Sequence, residues 1–333
     1  MKMRRIVNWC IGTTLVVAGT AALAQSPGLQ TIRVVAIPGR PLPVVVAQMH
    51  GSFARAGIKV EVEVPPSSDA LRGALADGKA DIAHAAVDNA VAMVESAGAD
   101  VKIVMGGEGS LNELIAQPDI RSVSELRGKA LLVDAPNTAF ALQLKKILLA
   151  SGLQSGRDYE LKPLGATPLR LKAMQENKEY AASILGPPTS IVAKHSGFLS
   201  LGTTEKLTGP YQSLGAFVQR RWAQDHASLL VAYLAAYIEA QRWLLDPANK
   251  QQVIDLLEKE AKIPASFAEE SYALSMHSRE GLKKDARFDL DGFKNVLKLR
   301  AEIEGQWGGR PPAPDRYYDP TYYLAALSKL GTK

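Results

Sequence analysis

Residues Ala74–Ala83 read ALADGKADIA, and residues Ala173–Ala182 read AMQENKEYAA. In both, a helical pattern stops on a residue that commonly ends helices, Gly78 or Asn177. A lysine follows, then a short apolar stretch of strand character. The echo predicts two lobes of like architecture, each with a strand buried behind a helix.

Outward from the first of these stretches the pattern alternates. Thr31–Ile37 (TIRVVAI) is a β-rich run bounded by Pro38 and Gly39. Pro43–Ala56 reads as a helix stopped by Gly57, and Ile58–Val64 (IKVEVEV) alternates apolar and polar as a strand does. Pro65–Ser68 is a turn, and Ser68 or Asp69 caps a helix to Asp77. Ala80–Ala83 is a third strand, Asp88–Ala97 a helix and Val101–Met105 a fourth strand. The glycines of Gly106–Gly109 read as a flexible strand exit.

A second series opens with Ser122–Glu125, a capping box. Strands at Lys129–Val133, Asp158–Leu161 and Ala181–Leu185 then alternate with helices at Thr138–Ser151, Pro168–Gln175 and from Pro188 to His195. Alternation at this spacing implies βαβ units and a parallel sheet in each series. Beyond Leu214–Val218, a strand, the pattern turns helical, with helices at Gln224–Leu245, Asn249–Lys262, Ser266–His277, Asp291–Ile303 and Tyr322–Leu330. No long Ser/Gly linker separates the lobes. The chain is expected to cross between them near Gly109–Asn112 and Tyr211–Gly215.

The start of the chain has a different character. Lys2, Arg4 and Arg5 precede an apolar run from Ile6 that ends in Ala22-Leu23-Ala24. This is the pattern of a secretory signal peptide over residues 1–24, cleaved near Ala24. The single cysteine, Cys10, lies inside it. A mature chain without cysteine excludes disulfides and thiolate chemistry. The formal charge of +5 falls to about +2 when the three leader cations are removed, too little to argue for nucleic acid.

Enzyme signatures are missing. The five histidines form no His-x-x-x-His pair, and no Gly-x-Ser-x-Gly elbow or Walker-type phosphate loop is present. No cofactor and no metal are expected. Binding chemistry fits better. Ligands of open α/β sheets lie at the carboxyl ends of the strands. Five segments stand there: Pro38–Leu42, Pro65–Ser68, His84–Asn89, Asp134–Thr138 and Gly186–Pro188. Each leads into a helix start, where free backbone N–H groups favour an anionic group. Within them, Thr138 with Asn137 reads as a contact to a ligand oxygen, or Asn137 as the cap of its helix; the two roles can coexist. Asp88 reads as a cap, with Asn89 freer to face a cleft. His84 reads as a ligand contact or a buried histidine bonded to backbone. Arg40 is the one cation, paired with an acidic ligand or simply solvated. Tyr211, near a crossing, is the candidate for aromatic cover.

At these segments the chain resembles the periplasmic substrate-binding proteins of the nitrate/sulfonate/taurine type, with their thiamine-precursor-synthesis-like relatives. The resembling text is Ala74–Ala83, Val123–Asp134 (VSELRGKALLVD), Arg170–Met174 (RLKAM) and Ala193–Leu201 (AKHSGFLSL). The resemblance implies a two-lobed α/β fold of type II periplasmic binding proteins, with a ligand cleft between the lobes. Lobe 1 would comprise residues 25–111 and 215–333, and lobe 2 residues 112–214. It also implies a monomeric periplasmic protein that delivers a small organic molecule to the permease subunits of an ABC importer; the helix starts of the cleft point to an organic acid or sulfonate-like anion as that molecule. It places Gly39, Arg40, Ser67, His84, Asn89, Asn137, Thr138 and Pro188 around the ligand. Asn137-Thr138 departs from the Ser-Gly type turn of many sulfonate binders, which argues against an alkanesulfonate. The competing readings are an enzyme of the same fold and a periplasmic ligand sensor.

Overall fold

The structure, a computed structural model, describes residues 28–277 and 280–331. The proposed leader and Cys10 lie outside these residues. The first series folds as β1 (Gln30–Ala36), α1 (Leu42–Met49), α2 (Ser52–Arg55), β2 (Ile58–Glu63), α3 (Ser68–Ala76), β3 (Ile82–Ala86), α4 (Asp88–Ala97) and β4 (Val101–Glu108). The second comprises β5 (Glu113–Ala116), β6 (Ala130–Val133), α5 (Ala139–Ala150), β7 (Glu160–Pro163), α6 (Thr167–Glu176), β8 (Tyr180–Leu185), α7 (Thr189–His195), β9 (Leu199–Thr203) and α8 (Thr204–Thr208). The chain continues through β10 (Leu214–Gln219), α9 (Arg220–Asp225), α10 (Ala227–Leu245), α11 (Lys250–Ala261), α12 (Ala265–His277), α13 (Leu290–Glu304) and α14 (Thr321–Leu330).

Two five-stranded sheets result, ordered β2-β1-β3-β10-β4 and β7-β6-β8-β5-β9. In each, the first three strands are parallel, and the fourth runs antiparallel to both neighbours. These fourth strands are the ones exchanged between the halves. β5 enters the second sheet straight from β4, and β10 returns to the first sheet after α8. The sheets are therefore mixed, not parallel as the alternation predicts. A strand that arrives from the other half has no crossover helix to set it parallel. The stretches that pass between sheets are residues 109–112 and 209–213.

Both faces of each sheet are covered. Alternate residues of β1 point to opposite sides, so Ile32 and Val34 join a core with α1, α10 and α14, while Val35 joins one with α3, α4 and α13. The second sheet is packed likewise, with Leu131 against Leu144 and Leu148 on one side and Leu132 with Leu171 and Met174 on the other. Helix α10 is apolar nearly all round and is accordingly buried.

Several local readings are corrected. The single helix expected over Pro43–Ala56 is two, because Gly51 adopts a left-handed conformation (φ 66°) between α1 and α2. Gln224–Leu245 is likewise split at His226. The cap of α3 is Ser67, and that of α5 is Thr138 rather than Asn137. The Ser122 hydroxyl donates to Glu125 (2.8 Å) instead of accepting a main-chain N–H. Gly106 and Gly107 are not a loose exit but lie inside β4, packed closely. A Cβ on Gly106 would stand 2.4 Å from the Arg287 carbonyl oxygen. Gly106→Ala is therefore expected to lower the unfolding free energy by about 2 kcal/mol in a urea titration, the usual scale for overpacking. An unchanged midpoint would show that the segment yields.

Candidate functional site

The carboxyl ends of β1, β3, β6 and β8 and the chain just past β2 and β7 converge on one cavity of about 770 Å³. This is the position expected for a ligand of parallel α/β sheets, and the volume suits a small organic molecule. Ile37–Leu42, Val64, His84, Ala86 and Glu108 line it from the first sheet. Asp134, Thr138–Phe140, Ala166–Pro168 and Gly186–Thr189 line it from the second. Apolar side chains such as Phe140, Leu171, Leu257 and Ile263 form much of the remaining wall.

Six of the nine residues proposed from sequence reach this wall: Gly39, Arg40, His84, Asn89, Thr138 and Pro188. Most of their polar atoms already have partners. The Thr138 hydroxyl donates to the Ala135 carbonyl (3.0 Å) and accepts from Ala141 N as the α5 cap. Asn89 accepts from Arg72 (3.0 Å) and donates to the Ala86 carbonyl (3.1 Å). Arg40, at the exposed rim, reaches Gln48 (2.6 Å) and Glu260 (3.4 Å). His84 Nε2 bonds the Tyr233 hydroxyl (2.9 Å), and its ring stacks on Tyr237. Burial depresses the His84 pKa to about 3, so the ring is neutral.

Ser67, Asn137 and Tyr211 are elsewhere. Ser67 caps α3 through Ala70 N (3.2 Å), and its neighbour Ser68 takes the place on the wall. Asn137 faces the C-terminal helices: its side chain accepts from Arg300 (2.8 Å) and donates to Ser96 (3.3 Å). Tyr211 is buried in the core with Phe217 and Phe293. Sequence reading places all three near strand ends but cannot show on which side each residue turns.

Three acids on the wall, Asp134, Glu108 and Glu260, are not singled out by the sequence reading, and Glu260 pairs with Arg40 at the rim. Asp134 accepts from the Ser68 hydroxyl (2.5 Å). Burial raises its pKa, against the lowering pull of that bond and of Arg170 and Arg72. Glu108 ends β4, and desolvation raises it to about 7, against a lowering influence from Lys283. Its only sequence signal is the Gly106-Gly107 pair, which lets β4 run on to it. Three of the helix starts are short of donors. Pro41 and Pro43 open α1, Pro168 lies in the first turn of α6, and Pro187 and Pro188 precede α7; none carries an N–H. The amide grip expected of these turns is correspondingly thin.

The model of the NMT1-like family matches residues 35–258. The chain belongs to the NMT1-like family. The match includes every strand end that forms the cavity of this NMT1-like protein. Comparison with curated proteins finds no match. Among solved structures it is similar to the periplasmic nitrate-binding protein NrtA of Synechocystis PCC 6803. That similarity has a TM-score of 0.75 and 15% identity, over 92% of this chain and 90% of that one. A ligand-binding component of an ABC-type import system from Staphylococcus aureus, solved with zinc bound, gives a TM-score of 0.73 at 16% identity, over 90% and 99%. The alkanesulfonate-binding protein SsuA of Xanthomonas axonopodis pv. citri gives 0.68 at 18%, over 86% and 96%. The NMT1-like chain thus has the periplasmic-binding-protein fold. Among its described residues no group of three or more His, Cys, Asp or Glu is placed to hold a metal, and no helix is long and apolar enough to cross a membrane.

Proposed function

We propose that this protein is an extracytoplasmic solute-binding protein, not an enzyme, that takes a small organic molecule into the cavity and delivers it to the permease of an ABC importer. The observation that carries this reading is the convergence of strand ends from both sheets on one cavity, with the chain passing between the sheets beside it at residues 109–112 and 209–213. The reading takes residues 25–111 with 215–333 as one lobe and 112–214 as the other, and treats the crossings as hinges. Family membership and the import-system neighbours support it.

Contacts between the two sides define the closed form. The Ser68 hydroxyl meets Asp134, Ala166 N meets the Pro66 carbonyl (3.0 Å), and Lys145 of α5 meets Glu304 of α13 (2.7 Å) beside a Lys146–Glu302 pair. A solute that touches both walls binds the closed form better, and so shifts the population towards it. The permease would read that closed surface. The test is small-angle scattering with a solute identified by native mass spectrometry of the protein from its own host. The radius of gyration is expected to fall on binding; an unchanged radius would overturn the hinge reading.

Reversing the latch charges, with Lys145→Glu and Lys146→Glu together, is expected to weaken solute binding by about three- to tenfold by disfavouring closure. Calorimetric titration of that solute checks it, and unchanged affinity would remove the latch from the mechanism.

A further inference from the structure

We propose that Glu108 is the specificity-determining residue of the cavity, and that its carboxylate receives a basic nitrogen of the solute: an amine, amidine or ring nitrogen on an apolar body. The inference rests on the reading that the cavity holds a small organic solute, and it reverses the organic acid expected from sequence.

The first argument is the distribution of charge. The cations that line the cavity are Arg40, Lys172 and Lys262, all on exposed parts of the chain. Arg40 is engaged with Glu260 and Gln48, and Lys172 stands near Glu176. Arg170, behind the wall, is fully buried. It donates to the Gly165 and Ile184 carbonyls and to the Ser183 and Thr167 hydroxyls. An acidic solute would therefore find no free buried cation among the described residues, and three of the helix starts that face it carry prolines in place of N–H donors.

The second argument is the position of Glu108. Its carbonyl is held by Gln212 Nε2 (3.2 Å) and Ser213 N (3.2 Å), so its backbone is fixed beside the 109–112 crossing. Among the described residues its carboxyl group makes no hydrogen bond or ion pair, yet it lines the cavity. Lys283 offsets the charge through its Coulombic influence, but a carboxylate in a largely apolar enclosure stays short of hydrogen bonds until something supplies a donor. A cationic or N–H-bearing nitrogen does so, whereas a solute carboxylate or sulfonate adds like charge. The titratable groups around it are Lys283, Tyr237 and His84, with Glu280 packed against Gly109. His84 is neutral, and burial holds the Tyr237 phenol protonated. Neither competes as a cation.

The test uses shape-matched probes: 2-naphthylmethylamine, 2-naphthylmethanol, 2-naphthoate and 2-naphthalenesulfonate. They are titrated into the full-length mature protein and into Glu108→Gln, with Glu108→Ala as a second variant. The amine is expected to bind the native protein about tenfold to a hundredfold tighter than either acid, the scale of a charge-assisted hydrogen bond. Glu108→Gln and Glu108→Ala are each expected to abolish that preference, with the amine losing at least about tenfold more affinity than the alcohol. Acids binding as tightly as the amine, or an amine affinity indifferent to both variants, would overturn the assignment of Glu108. Failure of every probe to raise the melting temperature of the native protein would instead strike the solute-cavity reading, and this inference with it.

Discussion

Arg300→Ala is expected to lower the unfolding free energy by about 3–5 kcal/mol, the cost of leaving a buried charge without its partner. Arg300 and Asp88 are both fully inaccessible to solvent. The guanidinium forms a fork on the Asp88 carboxylate through Nε and Nη2, the latter at 2.8 Å, and Nη1 reaches Asn137 Oδ1 at 2.8 Å. Burial opposes the charge on Arg300, but Asp88 outweighs it and the net pKa shift is upward. Truncation strands the Asp88 carboxylate at the start of α4 and removes a partner from Asn137 at the start of α5. Because those helices pack on different sheets, the loss also loosens the joint between them. The double variant Asp88→Asn with Arg300→Met is expected to be far milder than the sum of its parts, since no unpaired charge remains. Urea denaturation of the three variants checks both statements. A loss below about 1 kcal/mol for Arg300→Ala would mean that water reaches Asp88 and the pair is not a structural keystone.

The second large effect is on pH dependence. His84 falls from an ordinary 6.5 to about 3 because burial penalises its charged form. The unfolded chain therefore binds a proton that the native protein refuses. Stability from the neutral ring is complete above pH 6.5 and is lost as pH falls towards 3. The slope is about 1.4 kcal/mol per pH unit, and the whole effect is of order 5 kcal/mol. Glu108 has the opposite sign. Burial lifts it from 4.5 to about 7, so its contribution is complete below pH 4.5 and is lost as pH rises to 7. Between roughly pH 4.5 and 6.5 the two slopes largely cancel, and below that window His84 acts unopposed. His84→Gln, whose amide can still meet the Tyr233 hydroxyl, is expected to flatten the acid limb relative to the native protein. Glu108→Gln is expected to raise stability at neutral pH by about 2 kcal/mol, a figure reduced for water in the cavity. Denaturation midpoints across the pH range for the three proteins check this; an acid limb unchanged by His84→Gln would refute the assignment.

Local physics made much of this protein legible. The alternation of Ile58–Val64 named β2, and the glycine stops at Gly57 and Gly78 bounded their helices. The helical pattern of Asp88–Ala97 coincides with the ends of α4. These features depend on neighbours within a few residues, so periodicity and capping report them directly. The turns after the strands were legible for the same reason, which is why Gly39, Arg40, His84, Asn89, Thr138 and Pro188 all reach the cavity. The short strands β5 and β9 escape such a reading. Four or five residues carry too little period to be recognised without a partner.

By itself, then, the sequence determined the α/β alternation, the two similar series and the set of turns from which a cavity could be built. Tertiary structure decided the exchange of β5 and β10, the place of Glu108 on the cavity wall, and the removal of Asn137 and Tyr211 from it. Arg300 meets Asp88 across 212 residues of chain and Asn137 across 163. A side chain's direction at a strand end follows the partner it finds at such distances. That partner is set by packing of the whole chain, and no local pattern encodes it.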